Sequence, residues 1–160
     1  MALTPQARKT SAVVAAVVAM AAAHEGVKLT PYYDPPRVLT VCYGETHNVQ
    51  NRVYSLDECR AMLDMDVQKI VSNVVLCVPR GIPDNVTIAM SDAAYNLGES
   101  VVCEPSHSTM AKYLHDGNWE AACNELPKWD KARVAGMMVV LPGLRQRRLD
   151  EQKVCLKGLT

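Results

Sequence analysis

A long run of alanine and valine near the N-terminus ends in a carboxylic acid and a glycine, and this boundary most constrains the fold. Residues 12–23 are all apolar, and Glu25 and Gly26 follow after one histidine. The run predicts a helix, and glycine often ends helices because it tolerates positive φ. We therefore expect Glu25 at the end of a helix beside apolar neighbours, where desolvation disfavours the ionised form of a carboxyl group.

A second acid, Asp34, lies in a segment rich in turn residues. Pro35 follows it, and a proline pushes the preceding residue out of the α region, so Asp34 should be in extended or turn backbone. Glycoside hydrolysis uses two carboxyl groups in unlike environments, one protonated and one ionised. On chemistry alone, a helix-ending Glu and a turn-forming Asp are the more ordinary explanation of the pair. Thr40 then begins a short run, Thr-Val-Cys-Tyr, that predicts a strand.

The spacing Glu25-x8-Asp34-x5-Thr40 after a helix resembles the catalytic signature of the phage-type lysozymes, the endolysins of glycoside hydrolase family 24. Further segments are similar and stand in the family's order. Tyr-Gly-Glu-Thr-His at 43–47 resembles its hairpin, Ser-Asp-Ala-Ala-Tyr-Asn-Leu-Gly at 91–98 its central helix, and Gly-Leu-Arg-Gln-Arg-Arg at 143–148 its C-terminal helix. One departure is Glu45, where many members carry histidine.

The resemblance implies an α+β, mainly α, lysozyme-like fold. A small N-terminal lobe with a β-hairpin would be joined by a long helix to a larger helical C-terminal lobe, with the cleft between them. Glu25 would be the general acid, Asp34 the base or a charge-stabilising carboxylate, and Thr40 the residue that positions the attacking water. If Asp34 activates water, the reaction inverts the anomeric centre, and the two carboxyl groups should be roughly 6.5–9.5 Å apart.

The resemblance also implies residues that support the reaction. Asn96, near the end of the central helix, and Tyr43 are candidates for substrate binding, although a helix-capping role explains Asn96 as well. An arginine of the C-terminal helix, either Arg147 or Arg148, would contact Glu25 and favour its charged form. Substituting both arginines with uncharged residues should then shift the pH–rate profile.

The implied substrate is bacterial peptidoglycan, cut at the β-1,4 bond between N-acetylmuramic acid and N-acetylglucosamine, with no cofactor and no metal. The enzyme would lyse the host cell and release phage. Three alternatives remain open: a lytic transglycosylase that cleaves the same bond without water, a non-catalytic peptidoglycan-binding module, and a membrane-tethered structural protein. The first is disfavoured by Asp34 and Thr40, because a reaction without water has no need to position it.

Six cysteines in 160 residues predict a disulfide framework and an oxidising compartment. The spacing of the cysteines alone leaves 15 possible pairings open, and six reduced thiols in a cytosolic enzyme are the alternative. Chain order together with the family resemblance implies the pairs Cys42–Cys59, Cys77–Cys103 and Cys123–Cys155.

The N-terminal segment has the pattern of an export signal. Arg8 and Lys9 precede the apolar run, as in a secretory signal, but twelve apolar residues are short for a membrane span, which needs ~20. Some endolysins of the resembled family have a signal-anchor-release segment, and the run is similar to a short one. We expect residues 1–23 to be such a segment or a plain first helix, and residues 24–160 to be the catalytic domain.

Charge and composition restrict the partners. The formal net charge is zero, and a nucleic-acid binder would show a basic excess, so we expect no nucleic-acid partner. The expected protein is a monomer that acts on peptidoglycan glycan strands in the host periplasm, first tethered to the inner membrane by its N-terminal segment.

The rest of the chain predicts helices. Ser55-Leu-Asp-Glu has capping-box spacing and opens a long amphipathic helix, a second helix runs from residue 84 to about 96, and Pro142 restarts the chain into a charged helix. The pattern of the apolar stretch 134–141 leaves open whether it is helix, loop or a partly exposed patch. Trp129 is expected to be a core anchor rather than a sugar-stacking residue.

Overall fold

The computed structural model describes residues 5–78 and 81–159, with side chains from Thr10 onward, and it has the α+β, mainly helical architecture expected. Helices and two antiparallel hairpins make up this part of the chain. In order they are α1 (Pro5–Glu25), β1 (Lys28–Tyr33), β2 (Leu39–Cys42), α2 (Leu56–Cys77), α3 (Asp84–Leu97), α4 (Ser100–Cys103), α5 (Thr109–His115), α6 (Trp119–Glu125), a 3₁₀ turn (Leu126–Trp129), β3 (Lys131–Val134), β4 (Met137–Val140) and α7 (Pro142–Leu156).

The small N-terminal lobe forms around α1, the β1–β2 hairpin and the first half of α2. Helix α1 ends at Glu25, and Gly26 reverses the chain with φ of 65°. Valines and alanines of α1 are buried against α2 and α3, and the helix continues without a break past residue 23. The buried apolar residues of this lobe are Val13, Val14, Val17, Ala21, Val41, Cys42, Tyr43, Tyr54, Cys59, Leu63, Val67 and Val71.

Helix α2 joins the two lobes. It begins with the predicted capping box, in which Ser55 Oγ accepts a hydrogen bond from the Glu58 N–H and the Glu58 carboxylate accepts one from the Ser55 N–H. These two bonds satisfy backbone donors that a helix start otherwise leaves free. The first half of α2 buries Leu63 and Val67 in the N-terminal lobe, and Val74 in its last turn enters the core of the second lobe.

The larger lobe is built around α3. Its alanines, Ala89 and Ala93, are fully buried, and such small side chains allow α1, α2 and α7 to approach α3 closely. Trp129 is partly buried and packs against this core, as expected of a core anchor. The buried apolar residues are Val74, Val78, Val86, Ala89, Met90, Ala93, Ala94, Val101, Val102, Met110, Leu114, Ala122, Cys123, Leu126 and Cys155.

The stretch that the sequence left open forms the hairpin β3–β4. Lys131 pairs with Val140, and Val134 pairs with Met137 across a two-residue turn. The turn residues Ala135 and Gly136 both have positive φ, 49° and 80°, which suits the twist of a tight hairpin. The hairpin leads directly into α7, so it fixes where the first turn of that helix lies.

Three disulfides form: Cys42–Cys59 lies within the N-terminal lobe, whereas Cys77–Cys103 and Cys123–Cys155 lie in the larger lobe. These are the pairs that the resemblance implies. Within the described ranges 5–78 and 81–159, no helix has both the length and the apolar character needed to cross a membrane.

Candidate active site

Glu25 lies where two pockets adjoin. One pocket, of about 450 Å³, is walled by the segment Tyr43–His47, by α2 and by the end of α3. The other, of about 500 Å³, lies toward the start of α7 and includes Leu141 and Leu144. Glu25 and Asn96 line both pockets. The Glu25 side chain is 27 % exposed, so it is accessible to a ligand that occupies either pocket.

Arg147 of α7 connects Glu25 to the protein interior. Its Nη1 donates a short hydrogen bond to Glu25 Oε1. Its Nε and Nη2 donate to the two carboxylate oxygens of Asp92, both at 2.9 Å, in the bidentate geometry that suits a guanidinium. Burial lowers the pKa of Arg147, but the hydrogen bonds to Asp92 and Glu25 outweigh burial and raise it above its usual range. Glu25 therefore faces a permanent cation whose orientation is set by α3.

The second candidate arginine, Arg148, does not contact Glu25. It is fully buried, and its Nη2 donates to Glu151 Oε1 at 2.6 Å. Burial raises the pKa of Glu151, and a hydrogen bond with Asp92 adds to the rise. Arg148 and Glu151 thus lie behind the Asp92–Arg147 pair and support it from the core side.

The two proposed substrate-binding residues differ in how much of them faces the pocket. Asn96 Oδ1 is buried and, within the part of the chain that the structure describes, has no hydrogen-bond partner. Buried polar atoms are nearly always paired in native proteins, so this acceptor is available to a ligand donor. Tyr43 lines the pocket but is only 8 % exposed, and its carbonyl accepts a hydrogen bond from the Tyr95 hydroxyl at 2.7 Å.

Asp34 and Thr40 lie on the β1–β2 hairpin and line neither of the two pockets. Asp34 Oδ1 accepts the Val38 N–H at 2.8 Å and so closes the turn between the strands. Thr40 is buried, pairs with Tyr32 in the hairpin, and donates its hydroxyl to the Val38 carbonyl at 3.0 Å. The structure therefore joins Glu25, Asn96, Tyr43 and Arg147 around one cleft, with Asp34 and Thr40 on the adjoining hairpin.

Several acids of the site had no signal in the sequence. Asp92 occupies a helix position between small residues, and its role appears only when Arg147, 55 residues later, packs against it. Asp66 and Glu99, which had no signal either, line the first pocket together with Glu45, the position at which the sequence departs from the family pattern. Asn73 donates to both carboxylate oxygens of Glu99, at 3.0 and 3.1 Å. Among the described residues, no group of three or more His, Cys, Asp or Glu side chains is arranged to hold a metal ion.

Comparisons with known proteins agree with this fold. The phage lysozyme family model matches residues 22–151. A SAR-endolysin of Bacteriophage PS119 is 32 % identical over 136 residues, which cover 84 % of this chain and 77 % of that protein. The active form of the P1 phage endolysin Lyz superposes with a TM-score of 0.70 at 27 % identity, covering 100 % of this chain and 98 % of that chain. The muramidase domain of SpmX from Asticaccaulis excentricus has a TM-score of 0.80 at 22 % identity, covering 89 % and 95 %.

Proposed function

The chain belongs to the phage lysozyme family of glycoside hydrolases, and we propose that it hydrolyses the β-1,4 bond between N-acetylmuramic acid and N-acetylglucosamine in host peptidoglycan. The observation that carries the proposal is the position of Glu25 at the junction of two adjoining pockets, held by a buried arginine. A glycan strand that occupies both pockets passes its linkage beside Glu25. Cleavage at that point opens the wall and lyses the cell.

Glu25 serves as the general acid that protonates the glycosidic oxygen. A general acid must lie within hydrogen-bond reach of the atom that it protonates, and the partial exposure of Glu25 between the two pockets supports this role. Arg147 then stabilises the carboxylate that remains after proton transfer, because an adjacent cation favours the ionised form. Asp92 holds the guanidinium in place with two hydrogen bonds, and Arg148 and Glu151 support this pair.

Asp34 and Thr40 act on the water that completes hydrolysis. Asp34 accepts the proton of the attacking water, and Thr40 positions that water, so the product has inverted anomeric configuration. Both residues lie outside the two pockets, so in this mechanism the β1–β2 hairpin must approach the bound glycan. Proton NMR of the first reducing ends released tests this step. Direct appearance of the α-anomer supports inversion, and appearance of the β-anomer first refutes it.

Asn96 and Tyr43 bind the glycan. The unpartnered Asn96 Oδ1 accepts a hydrogen bond from a sugar donor such as the N–H of an N-acetyl group, which satisfies an otherwise orphaned buried atom. Tyr43 contributes to the pocket wall. We expect Asn96→Ala to raise KM more than it lowers kcat.

A lytic transglycosylase is the second candidate. The specific observation that favours it is the place of Asp34 and Thr40 outside the pockets, because a reaction without water needs neither residue. A non-catalytic peptidoglycan-binding module would retain binding without cleavage. The test is solubilisation of purified peptidoglycan by wild type, Glu25→Gln and Asp34→Asn, with Asp57→Asn on the first turn of α2 as a matched control.

The proposed hydrolase loses solubilisation in Glu25→Gln and Asp34→Asn and keeps it in Asp57→Asn. Unchanged activity of Asp34→Asn would remove the hydrolytic role of that residue, and unchanged activity of Glu25→Gln would refute the site.

We also propose that the protein acts in the periplasm as a monomer and that α1 is exported as an uncleaved segment tethered first to the inner membrane. Fractionation of cells that express the protein alone tests export, and a purely cytoplasmic product would contradict it.

A further inference from the structure

Two carboxyl groups face each other in the wall of the first pocket. Glu45 lies in the segment that follows β2, and Asp66 lies on α2; both line the pocket that contains Glu25. Both residues also line a very small cavity of about 10 Å³ beside it, and there their carboxyl groups are hydrogen-bonded to each other. Carboxylates only accept hydrogen bonds, so such a contact requires that one of the two groups carry a proton.

The surroundings show which group carries it. Glu45 Oε1 already accepts the His47 N–H at 2.7 Å. Burial raises the pKa of Glu45, but the hydrogen bonds from His47 and from Asp66 outweigh burial and lower it. Burial, the hydrogen bond to Glu45 and the negative charge of Glu45 together raise the pKa of Asp66 to about 6. Asp66 is therefore the donor and Glu45 the acceptor.

The Glu45–Asp66 contact fixes one end of the segment of residues 43–47, which we call the pocket wall. The backbone of Glu45 makes two hydrogen bonds with Val41 of β2, both at 2.9 Å, so movement of Glu45 moves the turn between them. The other end is fixed by the Tyr95 hydroxyl on the Tyr43 carbonyl. Burial and the nearby Glu25 raise the pKa of that phenol, so this second contact does not titrate near neutral pH.

Other charged groups face the pair from each neighbouring element. Lys69 on α2 and His47 on the wall itself favour the ionised form of Asp66. Glu25 at the end of α1 raises the pKa of the neighbouring Tyr95, and Arg147 on α7 lowers it. His47 is 91 % exposed, and Glu45 is its contact at 3.3 Å. In the described ranges, no lysine or arginine nitrogen lies within ion-pair distance of Asp66 to replace its proton.

We propose that Glu45 and Asp66 are positioning residues for the proposed glycosidase, and that one shared proton holds the pocket wall 43–47 against α2 in the shape that binds glycan. Loss of the proton brings two negative charges together, and like charges this close repel. The wall then moves away from α2, and glycan binding weakens as pH rises through the titration of Asp66 near 6. This inference rests on the proposed function.

The test measures KM and kcat of wild type from pH 4.5 to 8 on soluble glycan strands freed of their peptides. We expect KM to rise about tenfold between pH 5 and 7, the value of one lost charged hydrogen bond. Asp66→Asn keeps a permanent donor toward Glu45, so its KM should stay flat over this range. Asp64→Asn, the same change two positions earlier on α2, is the matched control and should follow wild type.

Glu45→Gln provides a second variant in case Asp66→Asn folds poorly. Its amide can still accept the His47 N–H and donate to an ionised Asp66, so KM should again be flat. In parallel, carbon-13 NMR of the Asp66 carboxyl carbon should show a midpoint near pH 6 in wild type and a lower one in Glu45→Gln.

The outcomes separate the two proposals. A wild type that cleaves glycan with a pH-independent KM, or an Asp66 carboxyl that titrates like a free aspartate, refutes the shared proton and leaves the proposed function intact. Absence of cleavage at every pH refutes the proposed function and the glycan role of the wall together, whatever the NMR midpoint shows.

Discussion

Replacing Arg147 with methionine tests how much the buried cation contributes to the site. Arg147 is 3 % exposed and serves two carboxylates, Asp92 at 0 % and Glu25 at 27 % exposure. Methionine fills a similar volume, so little of the cost arises from a cavity. The variant leaves the Asp92 carboxylate buried without its partner, and removing one member of a buried ion pair costs about 3–5 kcal/mol. We expect the free energy of unfolding to fall by this amount.

The matched control is Arg145→Met, two positions earlier on the same helix. Arg145 is 60 % exposed and pairs with Asp130 at 3.1 Å, and Lys131 lies near the same carboxylate. Asp130 is only 7 % exposed, but water reaches the Arg145 side of the pair and Lys131 remains beside the carboxylate, so we expect a loss of about 1 kcal/mol. Urea unfolding followed by far-ultraviolet circular dichroism, with the disulfides intact, measures both variants. A loss for Arg147→Met no larger than that for Arg145→Met would refute the reasoning that Arg147 is the central cation of the site.

Three further stability predictions follow from backbone and covalent features, each read from thermal or urea unfolding. Gly98→Ala should lower the free energy of unfolding by about 1–2 kcal/mol, because φ is 97° there. Gly143 lies in the first turn of α7 with no atom near a new Cβ, so Gly143→Ala should raise that free energy by about 0.5–1 kcal/mol. Equal effects of the two substitutions would contradict the argument. Ser55→Ala should lose about 1 kcal/mol through its helix cap, and a neutral result would mean that the capping box contributes nothing. Replacing both Cys77 and Cys103 with alanine should lose about 3–4 kcal/mol, since their bridge spans 26 residues, and an unchanged midpoint would contradict that value.

Local signals in the sequence predicted most of the helices. The capping box at Ser55 and the glycine after α3 mark backbone requirements that depend on neighbouring residues alone, so they are visible without the fold. The boundary of α1 at Glu25 was visible for the same reason. The hairpin β3–β4 was not predicted, because an apolar run of eight residues has no periodicity that separates strand from helix or loop. Its two-residue turn at Ala135 and Gly136 lacks the Asn-Gly or Asp-Gly pair that best marks such hairpins.

The site was predictable only where residues of one motif act together. The spacing of Glu25, Asp34 and Thr40 indicated a family, and an arginine of α7 was expected to reach Glu25. Two adjacent arginines, however, project from a helix in directions about 100° apart, so the sequence could not tell which one does so. Packing of α7 against α3 selects Arg147, because Asp92 lies opposite it.

The Glu45–Asp66 pair could not be predicted, because its two members come from different elements and neither has an unusual neighbour in the sequence. Their contact depends on how the segment after β2 folds back onto α2. A single acid on an amphipathic helix normally faces solvent, so Asp66 had no signal of its own. The same limit applies to Asp92 and Glu151, whose burial follows from helix packing in the larger lobe.

The most direct test of the central claim identifies the chain ends that the enzyme creates in purified peptidoglycan. The oxidised wild type and its Glu25→Gln variant are each incubated with the same preparation, and the released fragments are analysed by mass spectrometry. The account predicts reducing N-acetylmuramic acid ends from wild type and none from Glu25→Gln. Anhydro-muramic ends would show cleavage without water and contradict hydrolysis, and reducing ends of equal yield from Glu25→Gln would contradict the role of Glu25.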